Sequence, residues 1–175
     1  MQMNDRSAQQ HQMNDKPASD GKPDGFLSRH MVREKAMQVL YALEISGGSV
    51  LELFDSIARE ELEIDERQCA FARSLVYTTI NHQTETDAYI QTHILHWNMG
   101  RVAPLDLVLL RLGVTEFLFF PEIPSKVTIN ECVDIAKRFS TENSGKFVNG
   151  LLDAILKSLL AEGKIIKVGR GLVES

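Results

Sequence analysis

The 175-residue chain predicts an all-α fold, and three observations predict it. Apolar residues recur at helical spacing in each segment after residue 28, no strand-like alternation of useful length occurs, and the periodic segments are parted by short Gly, Pro and capping clusters. The clearest stripe is Phe147, Val148, Leu151, Leu152, Ile155, Leu156, Leu159 and Leu160, one wide buried face. Asn149, Gly150 and Asp153 interrupt it, although their helix propensity is poor. Such a helix either packs very closely against a neighbour, which suits Gly150 best, or shows polar groups to something outside.

Seven helices are expected. Residues 1–27 are rich in Gln, Asn, Asp, Gly, Pro and Ser and read as a disordered leader. Ser28 is a fitting N-cap for Arg29 to about Ser46, which Gly47-Gly48 ends. Ser49 caps a second helix carrying Leu53, Ile57, Leu62 and Ile64. Asp65 caps a third, with Gln68 placed to complete a capping box. A fourth follows Thr86 and carries Tyr89, Ile90, Ile94 and Leu95, until Asn98-Met99-Gly100 breaks it. Pro104 opens a fifth, to about Phe119, apolar nearly all round and therefore central to a bundle. The sixth runs from Ser125 or Thr128 to Phe139, and Thr128 with Glu131 matches a capping box. The seventh starts around Asn143-Ser144. Residues 28–162 form the folded part, with a break near Gly100 between subdomains 28–99 and 100–162. Residues 163–175 read as a loose tail.

Composition excludes several functions. No apolar run approaches the roughly 20 residues of a membrane span, and the polar N-terminus has no signal-peptide core. Both point to the cytoplasm. Cys69 and Cys132 show no paired spacing and read as buried thiols. His93 and His96 are three apart, but no acid or cysteine stands beside them at ligand spacing, so neither a metal nor another cofactor is expected. No phosphate loop, nucleophile elbow or HExxH occurs, so no enzyme is expected. A net charge of −5 opposes bulk attraction to nucleic acid. The charge is uneven, however: Arg29, Arg33 and Lys35 cluster with His30, whereas eight acids from Glu44 to Glu66 face Arg59 alone. A local basic patch on an acidic body fits a selective contact.

Three ordered segments carry a resemblance. Arg29 to Tyr41, with Arg33-Glu34-x-Ala36-x-Gln38-x-Leu40-Tyr41, resembles the opening helix of the NusB family of bacterial transcription antitermination factors. Ile129-Asn130-Glu131, Ala136-Lys137, Phe139 and Ser144-Gly145-Lys146-Phe147-Val148-Asn149-Gly150-Leu151-Leu152-Asp153 resemble that family's signature. Leu109-Leu110-Arg111 through Glu116-Leu118 is a softer match. The likeness covers about residues 28–160. It implies a seven-helix bundle of two subdomains and binding to single-stranded boxA RNA of ribosomal RNA leaders. It further implies a small-subunit ribosomal protein acting as NusE as partner, and association with the elongating RNA polymerase. It also allows a homodimer that buries the RNA face. Certain RNA cytosine methyltransferases carry a NusB-like domain, but a chain of this length leaves no room for their catalytic domain.

Candidate RNA contacts follow, each beside a plainer reading. Arg29 and Arg33 share a helix face and can fork onto phosphates or stack on bases, yet they also suit a solvated helix start. His30 stands where family members commonly carry a basic residue, which weakens a phosphate contact at neutral pH. Lys35 flanks them. Tyr41 can stack on a base or be half-buried core. Ser144 and Lys146 at a helix start make a phosphate site. Phe147 reads mainly as core, and Asn149 as either bracing or an RNA contact. For a basic protein partner, Asp106, Glu116 and Glu122 offer an acidic face, although scattered solubilising acids read the same way. The competing function is a helical protein-interaction module that uses this fold without boxA.

Overall fold

The computed structural model describes residues 28–63, 65–94 and 99–174. Among them are seven helices and no strand: α1 Arg29–Ser46, α2 over 50–62, α3 Glu66–Asn81, α4 Gln83–His93, α5 Pro104–Phe119, α6 Ser125–Phe139 and α7 Ser144–Ala161. A π-helical turn, Asp55–Arg59, lies within α2. The 1–27 leader lies outside the described residues, as do Ile64, Leu95 and His96. No described helix is long and apolar enough to cross a membrane.

The first three helices are started by the expected side chains, Ser28, Ser49 and Asp65, whereas α4 to α7 have no side-chain cap hydrogen bond. Ser28 Oγ accepts the Met31 N–H at 3.2 Å, and Asp65 Oδ1 accepts those of Arg67 and Gln68 at 3.1 and 3.3 Å. Gly47 and Gly48, at φ 66° and 96°, end α1 in the left-handed region. Both expected capping boxes fail. Gln68 Oε1 is buried without a hydrogen-bond partner. The α6 N-cap is Pro124, because the Thr128 hydroxyl is engaged elsewhere, by Glu116 at 2.7 Å. The fourth helix begins earlier than expected: the chain turns at His82, whose ring lies 3.9 Å from that of Phe119. Thr86 thus falls in the first turn of α4, its hydroxyl donating to the Gln83 carbonyl.

α5 is the central helix, as its composition requires. Every residue from Asp106 to Phe117 is buried, because α1, α3, α4, α6 and α7 all pack on it. One continuous apolar core spans residues on both sides of Gly100. The close approach in that core is at Gly113, where an added Cβ would stand 2.8 Å from a Leu152 methyl of α7. Gly150 is not such a site. It and Asn149 lie exposed, with nothing within 4 Å of a Cβ at Gly150. The awkward polar residues of α7 are simply its outer face, where Asp153 pairs with Lys157 at 2.6 Å.

The tail, expected to be loose, folds back over the α5–α6 turn. The Val168 N–H donates to the Pro121 carbonyl at 3.0 Å. Lys167 Nζ donates to the carbonyls of Glu116 and Phe120 at 3.3 and 3.2 Å, a cation where the α5 C-terminus favours one. Gly171 packs so tightly on Pro121 that a Cβ there would stand 2.2 Å from its oxygen.

Candidate nucleic-acid interface

The basic start of α1 divides into one outward and several committed side chains. Arg29 is exposed, its guanidinium 3.9 Å from the centroid of the Phe71 ring, a cation–π contact. Arg33 does not share its exposure. It is 2% exposed and forks onto Glu116, itself 0% exposed, with Nε–Oε1 at 2.6 Å and Nη2–Oε2 at 3.0 Å. Burial opposes the Arg33 charge, and the Glu116 carboxylate more than restores it, so its pKa is raised. Arg33 is therefore not an available RNA contact, and Glu116 is not part of a docking face. The helical period that groups Arg33 with Arg29 also turns Arg33 toward α5. His30 Nδ1 lies 2.8 Å from Glu131 Oε2, and Lys35 pairs with Glu61. Tyr41 is 37% exposed beyond them, one turn before the exposed Ile45.

The start of α7 divides in the same way. Ser144 is 1% exposed. Its hydroxyl donates to Asp106 Oδ2 at 2.8 Å and lies within hydrogen-bond distance of the Ser140 and Thr141 hydroxyls. Asp106 also accepts from Ser140 at 2.7 Å. This cluster ties the start of α5 to the α6–α7 corner, so Ser144 is no free phosphate ligand and Asp106 no partner surface. Lys146 and Asn149 are exposed. Phe147 is half-buried beside Arg101 and Asn143 in a cleft of about 230 Å³.

Charge compensation shows which cations remain for an outside anion. Among the described residues, Arg29, Arg67, Arg101, Lys126, Lys146 and Arg170 enter no ion pair with a carboxylate. They fall at two ends. Arg29 and Arg170 line one cleft with Ile123, Pro124 and Val127; Lys126 is in the same first turn of α6, and Arg67 precedes Phe71 by one turn of α3. At the other end Arg101 lines a cleft with Phe147, and Lys146 precedes Phe147 in the first turn of α7. Ten residues of α5, roughly 15 Å, separate Glu116 from Asp106, the anchors of the two ends. Glu122, expected on a partner face, lines the Arg29 cleft instead. Arg67, Arg101, Lys126 and Arg170 were not legible as candidates, since a cation is free only by what tertiary packing fails to bring near it.

The clefts combine guanidinium, apolar walls and an aromatic edge, which suits unpaired bases and phosphates. The lone buried thiol in the core, Cys132, has its pKa raised by burial and then by Glu116. Among the described residues no group of three His, Cys, Asp or Glu could hold a metal.

The model of the NusB family matches residues 30–157. The chain belongs to the NusB family. A Salinibacter ruber transcription antitermination protein NusB is 41% identical over 146 residues, 83% of this chain and 91% of that protein. T. maritima NusB shares the fold with a TM-score of 0.70 at 33% identity, over 75% of this chain and 92% of that one. A NusB chain from a crystal structure of antitermination factors NusB and NusE in complex with dsRNA superposes with a TM-score of 0.68 at 32% identity, over 74% and 96%. The Salinibacter ruber relative is a transcription antitermination protein, and the seven-helix all-α expectation agrees with the fold shared with the solved NusB structures.

Proposed function

We propose that this protein is a cytoplasmic antitermination factor that binds single-stranded boxA RNA of ribosomal RNA leaders. It does so with a small-subunit ribosomal protein acting as NusE and joins the elongating RNA polymerase. The observation that carries the reading is the set of uncompensated cations at both ends of α5, in an acidic chain whose relatives are antitermination proteins. A relative solved together with NusE and dsRNA supports NusE and RNA as partners, and the single-stranded boxA element rests on the family resemblance. Arg29, Lys146, Arg101 and Phe147 make the contacts on this reading, with Asn149 outward beside Lys146. Tyr41, His30 and Lys35 lie at the margin. Arg33 and Ser144 support the site without touching RNA.

The test is binding to a boxA-like strand and to a scrambled strand of equal length, with and without the ribosomal partner. Preference for the boxA-like strand, increased by the partner, is expected. Equal weak binding to both strands refutes the boxA claim and leaves the protein-interaction module.

A further inference from the structure

We propose that the C-terminal tail is an arm of the RNA interface: docked through Lys167, it sets Arg170 across a cleft from Arg29, and one nucleotide of the bound strand lies between them. This rests on the RNA-binding reading above. The cleft holds about 430 Å³, within the range of small-ligand sites. Its walls come from three separate parts of the chain: Arg29 from α1, Ile123, Pro124 and Val127 from the α5–α6 turn and the first turn of α6, and Arg170 from the tail. Apolar walls between two guanidinium groups are what a base and its phosphate need together. Glu122 and Glu131 also line the cleft. They repel a bare polyphosphate, but they accept hydrogen bonds from base amino groups, so the site selects a nucleotide over a free anion.

The tail is held there by specific contacts. Lys167 caps the carbonyls of Glu116 and Phe120, Val168 bonds Pro121, and Gly171 closes on the Pro121 oxygen. Between them Gly169, at φ 54°, turns the chain so that Arg170 reaches the cleft. Arg170 is exposed and enters no ion pair among the described residues. An arginine kept uncompensated by a segment anchored on both sides is placed for an external anion. Lys167 is thus a positioning residue and Arg170 a binding residue.

The experiment is fluorescence anisotropy of the full chain with a boxA-like single strand and a scrambled strand across a salt series, for wild type, Arg29→Ala, Arg170→Ala, Lys167→Gln and the Lys167→Gln/Arg170→Ala double variant. Arg170→Ala should weaken binding several-fold and lower the salt slope by about 0.7, the value of one single-strand phosphate contact. Its melting temperature should change little, because the side chain is exposed and enters no ion pair among the described residues. Lys167→Gln should give the same loss, and the double variant no more than either single one, because an undocked tail no longer presents Arg170. An unchanged slope for Arg170→Ala, alongside weakening by Arg29→Ala, overturns the arm and leaves the RNA reading standing. Additive losses overturn the docking role of Lys167. A wild type that does not tell the boxA-like strand from the scrambled one overturns both readings.

Discussion

Arg33 of α1 and Glu116 of α5 form a two-pronged ion pair with almost no solvent contact, and Thr128 of α6 gives the same carboxylate a third hydrogen bond. The pair joins three helices at the end of the bundle where Arg29 faces outward. Removing one partner strands the other charge in the core. Glu116→Ala should therefore cost about 3–5 kcal/mol in urea denaturation. Replacing both, as Arg33→Met with Glu116→Leu, should restore most of that loss, since no buried charge is left unpaired. A cost below about 1 kcal/mol for Glu116→Ala would show that water reaches Arg33.

The Ser144–Asp106 contact is bracing at the other end. Ser144→Ala should lower stability by about 1 kcal/mol and leave the salt dependence of RNA binding unchanged, because no cation is lost. A reduced salt slope in that variant would mean that the hydroxyl helps to position one.

Two glycines of the signature region and the central helix should respond oppositely. Gly113→Ala drives a methyl group into Leu152 and should destabilise by about 1–3 kcal/mol. Gly150→Ala meets nothing and removes backbone freedom from an exposed helix position, so it should stabilise by about 0.5–1 kcal/mol. Thermal melts of the two variants decide this. The opposite order would place the close helix contact at Gly150.

Cys132 makes stability fall at alkaline pH. Its folded pKa is raised above the ordinary 9.0, so the unfolded chain loses the thiol proton first. Above pH 9 the folded state then binds more protons than the unfolded state, and stability drops as pH rises. Below pH 9 the two states bind the proton alike and the full stability is present. Relative to Cys132→Val, wild type should lose roughly 1.4 kcal/mol per pH unit above that point. Parallel stability curves for the two proteins from pH 8 to pH 10 would contradict this. Alkylation at pH 8 should likewise modify the partly exposed Cys69 and spare Cys132.

The helix count, the central place of α5 and the caps of the first three helices were legible in the sequence. They follow from local rules: a 3.6-residue apolar period, a residue that can cap, and a glycine that can take positive φ. The outward position of Asn149 was one of two readings left open by a stripe that Gly150 interrupts, and only the packing of α7 chose between them. Arg29 and Lys146 were legible as cations near helix starts. Arg33 and Ser144 looked equivalent to them and are not, because the sequence shows a side chain's type and helical angle but not what stands opposite. Glu116 and Asp106 stand opposite, 83 and 38 residues away. The docking of the tail was not legible for the same reason. Its glycines read as looseness, whereas one of them is needed to approach Pro121.

The sequence alone thus determined which segments are helical, which faces are apolar and which family the chain resembles, since these depend on near neighbours and on pattern. Tertiary structure decided which charges are spent on each other and which are left uncompensated. Electrostatic pairing depends on distances between helices remote in sequence, and a few ångströms separate the buried Arg33–Glu116 pair from the exposed Arg29.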